Sequence, residues 1–109
     1  MSVTQPSAAT RFARAHGLFD TKDFHAAATL LAALATEVPD DLAVRLLLAR
    51  AYYHSAQLER AETEARAVLD ADPANAYAHL LLGRTLERLS RHAEARGPLR
   101  LAEAMGVSR

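Results

Sequence analysis

The chain contains no cysteine and no tryptophan, only four glycines and four prolines, and 6% aromatic residues. Without cysteine there is no disulfide, no thiolate metal site and no cysteine nucleophile. Charge of one sign is missing too, since 13 Lys and Arg balance 13 Asp and Glu. Bulk electrostatics therefore gives no reason to expect a nucleic acid or an anionic membrane as partner. The longest apolar run, Ala26 to Ala35, is interrupted by Thr29. It falls far short of the roughly 20 residues a spanning helix needs. The opening MSVTQPSAAT has neither the basic segment nor the apolar run of a signal peptide, so the expected location is the cytoplasm. There is no Gly-x-Ser-x-Gly and no glycine-rich phosphate loop, and no two of the five histidines stand three or four residues apart. The expectation is a protein without catalysis, cofactor or metal.

Half of the residues are hydrophobic, and many of these are alanine, so helices can pack closely without large side chains. At 109 residues the chain makes one small domain. Its organising stretch is Leu42 to Pro73. Leu48, Ala49, Tyr52, Ala61, Ala65, Val68 and Leu69 recur there at helical spacing, and Pro73 stops the second of two helices. Such a pair cannot bury its apolar faces alone. Shifting the window by 34 residues in either direction returns the pattern. Ala15, Ala49 and Gly83 share one register, and Ala27, Ala61 and Ala95 another. Phe24, Leu58 and His92 open the second helices. Ser7, Asp41 and Asn75 precede the windows 8–41, 42–75 and 76–109, each with a side-chain oxygen able to cap a helix. The spacing predicts helices over 8–20, 24–37, 42–55, 58–71, 76–89 and 92–105. Residues 1–7 are expected to be a disordered lead-in. Pro98 is expected to kink or break the last helix, because it cannot donate to the Glu94 carbonyl. The outward register of that helix, Arg96, Leu99, Arg100 and Glu103, is expected to meet solvent, leaving Leu99 and Leu101 as apolar surface. Leu30 and Ala33 are a second candidate apolar surface.

These residues resemble the tetratricopeptide repeats. The resemblance rests on Leu82-Gly83, Ala95 and Ala102 in the third window, and on Leu48-Ala49, Tyr52, Ala61 and Pro73 in the second. The first keeps Ala15, Phe24, Ala27 and Pro39. It covers residues 8–109. The sequence departs from the pattern where Arg11, Arg45 and His79 replace the family's usual tryptophan, and where Leu31, Ala65 and Leu99 replace an aromatic. The resemblance implies an all-α fold, a right-handed α-solenoid of three antiparallel helix pairs. It also implies an activity class, a platform that binds other proteins without catalysis.

The family's concave face is lined by the first helix of each pair. Carried over by position, that face comprises Ala9, Phe12, His16, Phe19 and Asp20 from the first repeat. The second supplies Ala43, Leu46, Arg50, Tyr53 and His54. The third supplies Tyr77, Leu80, Arg84, Glu87 and Arg88. The candidate groove is therefore apolar and aromatic, with arginines beside it. Guanidinium forks match carboxylates, so a peptide or helix with apolar anchors and acidic groups is the expected ligand. In the opposing reading Arg50 and Arg84 are solvated, or paired with Glu87 and Asp20. A subclass of the family clamps a C-terminal carboxylate of chaperone tails. Phe12, His16, Leu47, Tyr77 and Leu81 occupy the positions of its clamp and match none of its residues, so no such clamp is expected. His16 and His54 both belong to the groove, but no carboxylates at matching spacing complete a metal site. An alternative function is self-assembly, a homodimer formed through the alanine-rich or terminal helices.

Overall fold

The computed structural model describes residues 6–107 of the chain. Among them are six helices and no strand: α1 Ala8–Asp20, α2 Phe24–Glu37, α3 Leu42–His54, α4 Leu58–Ala71, α5 Ala76–Arg88 and α6 His92–Ala104. Most of the lead-in expected over residues 1–7 lies outside the described residues. Each helix packs against the next in the chain, and α3 also touches α5. The result is an elongated stack of 55 × 24 × 20 Å.

The start of every first helix is fixed as its cap former requires. Ser7, Asp41 and Asn75 accept from the backbone N–H of Thr10, Val44 and Ala78. Asp23 does the same for α2 through Ala26. The turn inside each pair is built alike. Lys22, Ala56 and Ser90 take φ of 65°, 60° and 61°. The residue after each donates back to a carbonyl five positions earlier: Asp23 to Leu18, Gln57 to Tyr52, Arg91 to Leu86. This left-handed residue closes the helix end. It also explains why α3 and α5 stop one residue short of the expected ends, since Ser55 and Leu89 are already caps, and Gly106 with φ of 90° does the same after Met105 for α6.

The small residues sit where the helices cross. Ala15, Ala49, Ala27, Ala61 and Ala95 are all buried. A Cβ on Gly83 would lie 2.5 Å from Cγ and Cδ2 of Leu99. Leu99 is therefore packed against α5, alongside Ala65, Leu82, Leu86 and Ala95, and is not the free apolar surface expected of it. Leu30 likewise packs on the first core cluster, while Ala33 is exposed. Arg96, Arg100 and Glu103 are exposed as expected, and so is Leu101.

One further correction and one contact concern α6 and its approach. The helix runs through Pro98 without a break. The residue before a proline normally resists helical geometry because its Cβ meets the ring; here that residue is Gly97, which has none. Buried Ala95 and Ala102 hold the helix on either side. Glu62, on α4, ties that approach in place. Its carboxylate accepts from Arg91 at the start of α6 (2.6 Å) and from Arg66 one turn on in α4 (3.0 Å). Arg91 also grips Glu94 through two bonds of 2.7 and 2.8 Å. These contacts hold the Glu62 and Glu94 carboxyls below the usual carboxylate range and the Arg91 guanidinium above its own.

The residues that replace tryptophan share a task. Arg11 and Arg45 donate to the carbonyls of Pro6 (3.1 Å) and Pro39 (2.6 Å), and the His79 ring contacts the carbonyl of Pro73 (2.8 Å). Arg11 then pairs with Glu37, and Arg45 with Glu64. Each ties the approach to its repeat down onto the first helix. The two arginines also join both helices of their pair.

Candidate functional site

The expected groove residues all belong to the first helices, α1, α3 and α5, but they do not form one uniform strip. Phe12 and His16, one turn apart on α1, form an edge-to-face pair at 4.8 Å. Among the described residues, their only ring contact is with each other. Leu46 is half-buried and Leu80 buried, so both support the surface rather than project from it. The remaining residues converge on the middle of the stack.

Arg50 is the centre of that convergence. Its guanidinium carbon lies 4.6 Å from the Phe19 ring centroid and 5.3 Å from that of Tyr77. The first ring comes from α1 and the second from α5, so one side chain of α3 links all three repeats. A cation over an aromatic face is attracted by the ring quadrupole. The Arg50 Nε is buried and has no hydrogen-bond partner. Arg88 donates to the Tyr53 carbonyl at 2.9 Å and lies 4.8 Å from the Tyr53 centroid. Neither arginine has a carboxylate partner among the described residues. Arg84 differs, because Glu87 on the next turn accepts from it at 3.3 Å. The expected pairing of Arg50 and Arg84 as carboxylate binders is thus redrawn. The charge of Arg84 is already met in part, as the opposing reading held for that residue. Arg50 does not pair with Asp20.

His54 completes the cluster. Its ring stacks on Phe24 at 4.6 Å with planes 22° apart, and meets Phe19 at 5.5 Å and Tyr53 at 5.3 Å edge to face. Burial of its faces, then the nearby Arg50 and Arg88, hold its pKa below the ordinary histidine value. The neutral imidazole is favoured as a result. Beside it opens a depression of about 190 Å³, lined by Tyr53, His54, Tyr77, Leu80, Leu81 and Arg84. Tyr77 is among the exposed large side chains.

Two contributors were missed from the sequence. Phe24 opens α2 and was placed in the framework, yet it carries His54 and meets Phe19 at 5.0 Å. Leu81 lines the depression from beside Leu80. A position count along the first helices alone gives no signal for a second-helix residue such as Phe24. No group of three His, Asp or Glu among the described residues could hold a metal ion. No helix among them is long and apolar enough to cross a membrane. What the cluster offers chemically is two fixed, unpaired guanidiniums beside aromatic and leucine surface.

A family model described as tetratricopeptide repeat matches residues 18–84. No curated protein matches the chain in sequence. Among solved structures, a mutant of MamA superposes with a TM-score of 0.86 at 19% identity, covering 94% of this chain and 74% of that one. A MamA fragment from Desulfovibrio magneticus RS-1 gives 0.81 at 24% identity, covering 87% of this chain and 54% of that one. The chain thus spans about half the length of the latter. The second repeat domain of Spaghetti (RPAP3), bound to the HSP90 peptide SRMEEVD, gives 0.83 at 17% identity, covering 90% and 91%. At these identities the likeness is one of fold.

Proposed function

Because the chain belongs to the tetratricopeptide repeat family, and is a helical-repeat module for protein interaction, we propose that it binds a peptide or helix in the groove of its first helices. The ligand places an apolar side chain in the depression at Tyr77, Leu80 and Leu81, and an acidic group at Arg50 and Arg88. The observation that carries this reading is Arg50: held between rings of the first and third repeats, with a buried, unpartnered Nε. An arginine fixed in advance loses little side-chain freedom when a carboxylate arrives. Hydrogen bonds to charged groups contribute about 1.5–3 kcal/mol, enough for selectivity without a large interface. The MamA and RPAP3 repeat structures share the scaffold. The RPAP3 repeats also hold an acidic peptide in their structure, but this chain lacks the residues of the chaperone-tail clamp. Its acid-binding groups are therefore different ones, placed by α3 and the end of α5.

Selection from a displayed random-peptide library tests the reading. Selected peptides should combine leucine or aromatic residues with Asp or Glu, and should shift the amide signals of Tyr77, Leu80 and Leu81. Arg50→Gln and Arg88→Gln should each weaken them about tenfold or more. Peptides free of acidic residues, or binding unchanged in both variants, would reject it.

A second reading is favoured by one observation. Leu101 on α6 and Met105, the C-cap residue one turn later, are 47% and 43% exposed. Self-association through this terminal helix would cover them. Sedimentation of the wild type and Leu101→Ser distinguishes the readings: a dimer abolished by the substitution supports assembly, and a monomer leaves the groove as the working surface.

A further inference from the structure

We propose that His54 is a third, proton-dependent member of the anion subsite made by Arg50 and Arg88, so that a carboxylate entering the groove binds together with one proton. This rests on the groove reading and adds a regulation to it. The geometry comes first. The Arg50 guanidinium and the His54 ring share Phe19 as a neighbour, at 4.6 and 5.5 Å. His54 and the Arg88 guanidinium share Tyr53, at 5.3 and 4.8 Å. The three groups therefore surround one small area. His54 also lines the depression that the ligand's apolar side chain would enter.

Among the described residues, the neighbours of His54 are cations and rings, and no carboxylate pairs with it. From α3 it meets Arg50 and Tyr53. From α5 it faces Arg88, and shares the depression with Tyr77 and Arg84. From α1 it meets Phe19, and from α2 Phe24. The carboxylates close by in the chain are engaged or do not reach it. Glu87 accepts from Arg84, and Asp23 caps α2. Asp20, the last residue of α1, makes no bond to the ring. No hydrogen bond holds either ring nitrogen among the described residues, and His54 is exposed as a residue. Protonating this ring adds a third positive charge to a place that already has two without counter-ions. A ligand carboxylate reverses that balance, because an opposite charge at close range favours the charged imidazole. By linkage, whatever raises the proton affinity of His54 on binding raises ligand affinity as pH falls. Two arginines alone cannot do this, since they stay charged across the whole range.

The test uses 3-phenylpropionate, an aryl group joined to a carboxylate, with the whole chain labelled for NMR. The ring signals of all five histidines are followed from about pH 8 to about pH 5, with and without saturating probe. His54 should titrate below the ordinary value in the free protein, and its midpoint should rise by about 1 with the probe. The probe should bind about threefold to sixfold more tightly at pH 5.5 than at pH 7.5. In His54→Gln, which keeps a polar side chain of similar size, binding at pH 5.5 should fall toward its value at pH 7.5, so that the dependence flattens. If the probe moves the Leu80 and Leu81 methyl signals but leaves the His54 midpoint unchanged, the proton linkage is wrong and the groove reading stands. If those methyl signals do not move at all, both are overturned.

Discussion

Replacing Gly83 with alanine sets two opposite effects on one residue. Gly83 lies inside α5, where glycine costs about 1 kcal/mol against alanine. On propensity alone the substitution stabilises. The new Cβ, however, would stand 2.5 Å from both Cγ and Cδ2 of Leu99. The tip of a leucine can rotate away, but the Cγ contact requires the whole side chain to move. Leu99 is packed on Ala65, Leu82, Leu86 and Ala95, so it has little room. Overpacking of this kind costs about 1–3 kcal/mol. The net change runs from about zero to 2 kcal/mol destabilising. Gly17 supplies the control. It also lies inside a helix, and nothing stands within 4 Å of its Cβ position. Gly17→Ala should therefore stabilise by about 1 kcal/mol. The difference between the two variants isolates the clash from the propensity. Urea unfolding followed by circular dichroism reads both. The cycle closes with Leu99→Ala: in that background Gly83→Ala should become stabilising, with a coupling of about 1 kcal/mol or more. If Gly83→Ala stabilises as much as Gly17→Ala, or if the coupling is below about 0.5 kcal/mol, the close approach of α5 and α6 is not what glycine is there to permit.

Ala56 holds φ of 60° in the turn between α3 and α4. Ala56→Gly should stabilise by up to about 1 kcal/mol in the same urea assay, because the Cβ penalty of left-handed geometry exceeds the entropy glycine loses. Pro98→Ala should raise the thermal midpoint, since α6 already passes through this position and would regain one backbone hydrogen bond. Glu62→Gln weakens the tie between α4 and the start of α6 and should cost about 1 kcal/mol, the pair being partly exposed. The same carboxyl sets a pH dependence. Its folded pKa lies below the unfolded value, so its contribution is complete above about 4.5 and is lost as pH falls through the folded value. Acid titration of stability should show a shallower fall in the Glu62→Gln variant.

The regular parts of the molecule were legible because they repeat. A cap former every 34 residues marked each first helix, and the structure puts Ser7, Asp41 and Asn75 to that use. Small residues in register marked the crossings, and they are buried. What repeats least was read least well. Arg50 and Arg84 share a repeat position, which made them look equivalent. They differ because Glu87 is one turn from Arg84, whereas the position one turn from Arg50 holds Tyr53. Phe24 looked like framework, since its helix is not the one that lines the groove. Its ring reaches His54 only because α1, α2 and α3 meet at their ends. Pro98 looked like a break because the rule concerns the proline alone, while the outcome also depended on Gly97 and on burial at Ala95 and Ala102.

The amino-acid order by itself determined the helices, their turns and the stacking interval. Each of these depends on contacts within one repeat or between neighbours, and such contacts recur at a fixed sequence distance. Tertiary structure alone decided which arginine keeps an unmet charge and where the groove has depth. Arg50 takes its character from Phe19 and Tyr77, which belong to the repeats on either side of its own. A side chain's electrostatic state is set by everything within a few ångströms, and no interval along the chain encodes that.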